Sequence, residues 1–120
     1  MRKTINQLQM IQFELMEHVV LEGFDAKRVI ADLTKNRHLW EAAIMMPDPT
    51  WGLLHLRDLG ENKWNVDCLY IYSSGKDDGA LTDLVQAWMP TELMWLDEKE
   101  QMELMRVPGQ LIRRVLRLFW

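Results

Sequence analysis

The sequence predicts a single α+β domain, in which a small antiparallel sheet is covered by N- and C-terminal helices. Three observations predict it. Apolar residues recur at helical spacing near both ends of the chain, and two strand-like runs flank a turn in the middle. The order helix, hairpin, helix also lacks the regular alternation of a parallel α/β sheet. With 120 residues and 48% apolar content, the chain has the size and the material for one core, so residues 1–120 read as one domain.

Residues 4–22 read as the first helix. Ile5, Leu8, Ile11, Leu15, Met16 and Val19 share one face, and Met10, Phe13 and Val20 add apolar surface on another. Gly23 is placed as the C-terminal stop. Asp25 reads as an N-cap, with Phe24 before it and Val29 after it at the spacing of a hydrophobic staple. Val29, Ile30 and Leu33 continue that second helix. Beyond Asn36 two readings compete for residues 39–46, helix or strand, and the Ala, Glu, Leu and Met content favours helix. Pro47 and Pro49 end either one.

Residues 51–59 and 64–72 are predicted as a β-hairpin around Gly60-Glu61-Asn62-Lys63. That register pairs Trp51 with Tyr72 and His55 with Cys68. Both faces of the hairpin are largely apolar, so both need cover. Residues 73–79 form a connecting loop. Leu81, Leu84, Val85 and Trp88 mark a short helix halted at Pro90, and residues 93–96 are a third short strand. Asp97 with Glu100 is an acidic capping box that opens a helix to about Met105. After Pro108-Gly109, residues 108–120 are predicted as a C-terminal amphipathic helix, with Leu111, Ile112, Val115, Leu116, Leu118 and Phe119 on one side and Arg113, Arg114 and Arg117 on the other.

The candidate chemistry is sparse. His55 opposite Cys68 is the arrangement that lowers a thiol pKa and would serve a small thiol-dependent enzyme. Asp67 falls on the other sheet face and cannot orient the imidazole, while a lone cysteine packs as a small hydrophobe. His18, His38 and His55 are too widely spaced for a metal motif, and no metal or cofactor is expected. Ser73-Ser74-Gly75-Lys76 lies where phosphate loops lie but lacks their glycine spacing, and Asp77 and Asp78 would repel an anion. Trp64, Tyr70 and Tyr72 are candidates to line a small-ligand pocket between sheet and helices.

Charge narrows the partners. The last fifteen residues carry four arginines and no acid, which leaves −8 on the rest of a chain whose net charge is −4. An acidic body disfavours nucleic acid. The longest apolar run, residues 42–46, is far short of a membrane span, and the single cysteine points to a reducing compartment, so the expectation is a soluble cytoplasmic protein. Six Trp and nine Met suit either a core or an adaptable binding surface. The leading expectation is a non-enzymatic interaction protein: an adaptor, inhibitor or regulatory subunit that binds a protein partner or a second copy of itself. Leu111, Val115, Leu118, Phe119 and Trp120 are its expected contact residues, with Arg113, Arg114 and Arg117 as the rim.

Overall fold

The computed structural model describes residues 4–46, 54–64, 66–106 and 114–120. Among them are five α-helices and a four-stranded sheet, the small α+β architecture that the sequence predicts. In chain order the elements are α1 (Gln7–Met16), α2 (Ala26–Lys35), β1 (Trp40–Met46), α3 (Leu54–Gly60), β2 (Cys68–Ser73), α4 (Asp78–Gln86), β3 (Glu92–Trp95), α5 (Glu98–Met105) and β4 (Val115–Phe119). The sheet order is β1-β2-β4-β3, and each neighbouring pair is antiparallel.

Local capping chemistry starts the helices, at Asp25 and Asp97 where the sequence places it and at Asp77 inside the stretch read as a loop. The Asp25 side chain accepts from Arg28 N at 3.2 Å to open α2, and Asp77 accepts from Ala80 N at 2.9 Å to open α4. Asp97 and Glu100 close the reciprocal capping box of α5, with bonds of 2.8 and 3.2 Å. Helix α1 begins later than expected, capped by Asn6, and ends at Met16. His18 and Val19 bond back only three residues, and the β-branched pair Val19-Val20 does not extend the helix. Gly23 is no helix stop. It holds φ +83° ahead of α2, where Trp120 packs against it.

Three expectations are corrected. Residues 40–46 are a strand rather than a helix: a single 3-10 turn (Arg37–Leu39) separates α2 from β1, and pairing with β2 overrides the helical propensity of Ala and Met. The predicted hairpin 51–59/64–72 does not form. Residues 54–60 are helix α3, residues 51–53 lie outside the described residues, and the second strand starts at Cys68. The polypeptide turns at Asp58, whose carbonyl accepts from Glu61 N and Lys63 N, and both sides of β2 are occupied by β1 and β4. The described part of 108–120 is strand β4 rather than an amphipathic helix. It fills the slot between β2 and β3, so Leu116 and Leu118 point to the core while Arg117 and Phe119 point away from it.

The core lies on one face of the sheet. Ala43, Met45, Leu69, Ile71, Leu116 and Leu118 meet Phe13 and Met16 of α1, Val29 and Leu33 of α2, and Leu81 and Val85 of α4. Trp40 is fully buried and its indole N–H donates to Leu33 O at 2.8 Å. None of the five described tryptophans is fully exposed, and the polar ends of Trp88 and Trp120 bond to Asp32 and to Trp88 O.

Two buried glutamines finish the sheet backbone. Gln9 donates to Ala43 O at 2.7 Å and accepts from Ala43 N at 2.9 Å, so a side-chain amide takes the place of a neighbouring strand along β1. Gln101 of α5 likewise bridges Leu96 O and Val115 N. Arg37 adds bonds to the carbonyls of Trp40 and Glu41 and stacks on the Trp40 ring at 4.1 Å. Burial pulls its guanidinium below the usual arginine range, opposed by the charge of Glu41. Part of the free edge of β1 is thereby occupied by side chains of this chain.

Candidate interaction surface

Strand alternation that sends one set of residues to the core sends the other set to the opposite face. Three cross-strand rows make up that outer face: Ala42–Tyr72–Val115, Ile44–Tyr70–Arg117–Met94, and Met46–Cys68–Phe119–Glu92. Ile44, Met46 and Met94 are 41%, 46% and 38% exposed. Tyr70, Tyr72, Arg117 and Phe119 are half-buried between them, and Cys68 and Val115 are buried. A four-stranded sheet therefore presents aliphatic, thioether and aromatic side chains around one cation.

The centre of this face is a joined polar group. Arg117 Nη2 donates to Met94 Sδ at 2.8 Å, and the guanidinium stands 5.2 Å from the Phe119 ring centre. Tyr70 stands opposite Arg117 of β4 and on the same face as Cys68, two residues earlier on its own strand. Burial is the main cause that raises the Tyr70 pKa above its ordinary value; Cys68 adds to the rise and Arg117 opposes it. Arg117 Nε is buried and has no hydrogen-bond partner among the described residues.

Helix α1 carries a second apolar surface. Its core side is Gln9, Phe13 and Met16, so the Leu8, Ile11 and Leu15 stripe that looks inward-facing in the sequence turns outward instead. Leu8 is 76% exposed and Ile11 42%. The buried amide of Gln9 fixes this choice, because its two bonds to Ala43 hold that side of the helix against β1.

The residues singled out by sequence are redistributed. Cys68 stands opposite Met46 and Phe119, while His55 belongs to α3, so the strand register that set His55 across from Cys68 is replaced by another. Val115 and Leu118 are buried within the sheet and are not free contact residues; Phe119 and Arg117 do lie on the outer face. Arg114 stacks on Trp95 at 4.3 Å and pairs with Asp78 at 3.7 Å, and Trp120 packs edge-on against Phe24 at 4.9 Å. Leu111 and Arg113 lie outside the described residues. Trp64 packs against the core, on the other side of the sheet from Tyr70 and Tyr72, so these three do not line one pocket. The sequence reading missed Ile44, Met46 and Met94. The every-second-residue spacing of Ala42, Ile44 and Met46 is the signal that would have found two of them.

Two other places are less open to ligands. In the 73–78 loop, Ser73 donates to Asp78 and accepts from Gly75 N at 2.9 Å, and Ser74 donates to His38 O at 2.7 Å. Its hydroxyls are thus spent internally. A cleft of about 400 Å³ lies among Gly23, Asp25, Arg28, Ala87, Trp88 and Met89, but Asp25 caps α2, and Trp88 and Arg28 are both engaged with Asp32. Among the described residues no group of three or more His, Cys, Asp or Glu is placed to hold a metal, and no helix is long and apolar enough to cross a membrane. No protein-family model, curated protein or solved structure matches the chain.

Proposed function

We propose that this chain is a small non-enzymatic interaction protein, an adaptor, inhibitor or regulatory subunit, that binds a protein partner through the outer face of its sheet. The observation that carries the reading is the set of exposed apolar side chains at Ile44, Met46 and Met94 around a half-buried Tyr70, Tyr72, Phe119 and Arg117. Apolar side chains left in water on an ordered sheet gain free energy when a partner covers them, at about 25 cal/mol per Å². Aromatic, Met and Arg residues are also the types enriched where proteins bind one another. A reducing cytoplasm is the compartment we propose, supported by a sole cysteine that is buried.

The test is capture from source-cell lysate with three baits: the native chain, Ile44→Glu with Met94→Glu, and Met89→Glu. Met89 is exposed but lies at the cleft instead of the sheet. A partner held by the native chain and by Met89→Glu, and lost or weakened at least about tenfold by the sheet-face pair, is the expected outcome. A partner retained by the sheet-face pair contradicts the reading.

A further inference from the structure

Met94 stands where exposure and a cation coincide. It lies in the middle row of the outer face, 38% exposed and directly opposite Arg117, whose Nη2 donates to its Sδ at 2.8 Å. Met105, the last residue of α5, is equally exposed at 38%, and Met46 on the same sheet face is more so at 46%. Among the described residues Met94 is the methionine whose sulfur takes a hydrogen bond from a guanidinium. Met16 and Met45 are buried in the core.

A thioether that water can reach is oxidised by peroxides to a sulfoxide. One sulfur lone pair attacks the nearer oxygen of hydrogen peroxide, so an S–O bond forms and the O–O bond breaks. Sulfur loses two electrons and the peroxide gains them; the departing hydroxide takes the proton of the transferred oxygen and leaves as water. Sulfur has a second lone pair for this attack while Arg117 occupies the first. Negative charge develops on the departing oxygen, and a fixed cation beside it lowers the barrier. The Arg117 guanidinium has N–H groups beyond the one on Sδ, and it stands 5.2 Å from the Phe119 ring centre. The product favours the same contact, because a sulfoxide oxygen accepts from Nη2 more strongly than a thioether does. Glu92 is the opposing charge: it is exposed on the same face, two residues earlier on β3 and so about 7 Å along the strand. The cation in contact with the sulfur outweighs it.

We infer that Met94 is a site of oxidative modification, converted by hydrogen peroxide to the sulfoxide ahead of equally exposed methionines because Arg117 assists the step, and that the change disengages the partner of the outer sheet face. The second half rests on the proposed function. A sulfoxide puts a polar, hydrated group where a partner would cover an apolar one. Cys68 on the same face is the competing reductant, but its burial keeps peroxide from it.

A peroxide pulse stopped at about one oxygen per chain, followed by peptide mapping in a mass spectrometer, tests the site. Met94 is expected to gain oxygen at least about fivefold faster than Met105 or Met46. Arg117→Leu should slow Met94 to the rate of Met105, and Arg117→Lys, which keeps a cation, should restore part of the difference. Met94 no faster than Met105 and Met46 in the native chain overturns the inference, and that comparison needs no variant. Oxidation of Cys68 ahead of Met94 overturns it as well. The pulsed chain should also capture the sheet-face partner about fivefold less well, with capture restored by methionine sulfoxide reductases plus dithiothreitol but not by dithiothreitol alone. Undiminished capture, or restoration by dithiothreitol alone, contradicts the inference. If the native chain holds no partner that the Ile44→Glu, Met94→Glu pair loses, the proposed function fails, and the order of oxidation decides the Met94 site by itself.

Discussion

The inner and outer faces of the sheet come from the same four strands, alternate residue by residue, and differ in what lies against them. On β2 the inner Leu69 and Ile71 are fully buried under helices, while their neighbours Tyr70 and Tyr72 are only half-buried. On β4 the contrast is Leu116 and Leu118 against Arg117 and Phe119. One face spends its apolar surface on folding. The other keeps apolar surface that folding does not use, and that surplus is what a partner can draw on.

If this division is right, the two faces respond differently to truncation. Leu118→Ala opens a cavity in a closed core and should cost about 2–5 kcal/mol. Ile44→Ala, on a side chain already 41% exposed, should cost less than about 1 kcal/mol. Urea denaturation of both variants compares them directly. Equal losses would mean that the outer face is as much a core as the inner one.

A smaller effect concerns the boundary between sheet and α1. Gln9→Leu keeps side-chain volume but removes both bonds to Ala43, leaving a strand N–H and C=O unmet. The expected destabilisation is about 2 kcal/mol. Amide exchange at Ala43 should quicken, and the bared edge should promote association between chains. Unchanged exchange at Ala43 would show that the glutamine is dispensable there.

The smallest effect is a pH response confined to the outer face. The folded-state pKa of Tyr70 is raised above its ordinary 10.0, chiefly by burial. The unfolded chain thus gives up that proton first, so this contribution to stability is complete below about pH 10 and falls as pH climbs through the folded-state value. Tyr70→Phe should reduce the loss of stability between about pH 9 and pH 11, read from urea midpoints. An identical alkaline loss in both proteins would place its origin elsewhere.

What could be read from the sequence was local. Asp25 and the Asp97–Glu100 pair make their bonds within three residues, and the helices they start follow the predicted order. The third strand, β3, is also where turn chemistry at Pro90 leaves room for it. What could not be read depends on distant partners. Val115–Phe119 is five residues long, too short for helical and strand spacing to separate, and only the vacant slot between β2 and β3 decides it. Residues 40–46 follow the same logic through β2. Helix α1 reads with its best stripe inward, yet a polar residue takes the buried place, because Gln9 can satisfy a strand edge and Leu8 cannot. The outer-face candidates Tyr70, Tyr72, Arg117 and Phe119 were visible as residue types, but not as neighbours, until β4 was seen beside β2.

The methionines provide the most direct measurement of the central claim. Met46 and Met94 lie on the outer face, Met16 and Met45 in the core, and Met89 at the cleft. With methyl-labelled methionine, the captured partner would be titrated into the chain and the methyl resonances followed. The account predicts that Met46 and Met94 shift or broaden while Met16, Met45 and Met89 hold still. Movement of Met89 with Met46 and Met94 unchanged would contradict it, and would move the binding surface away from the sheet.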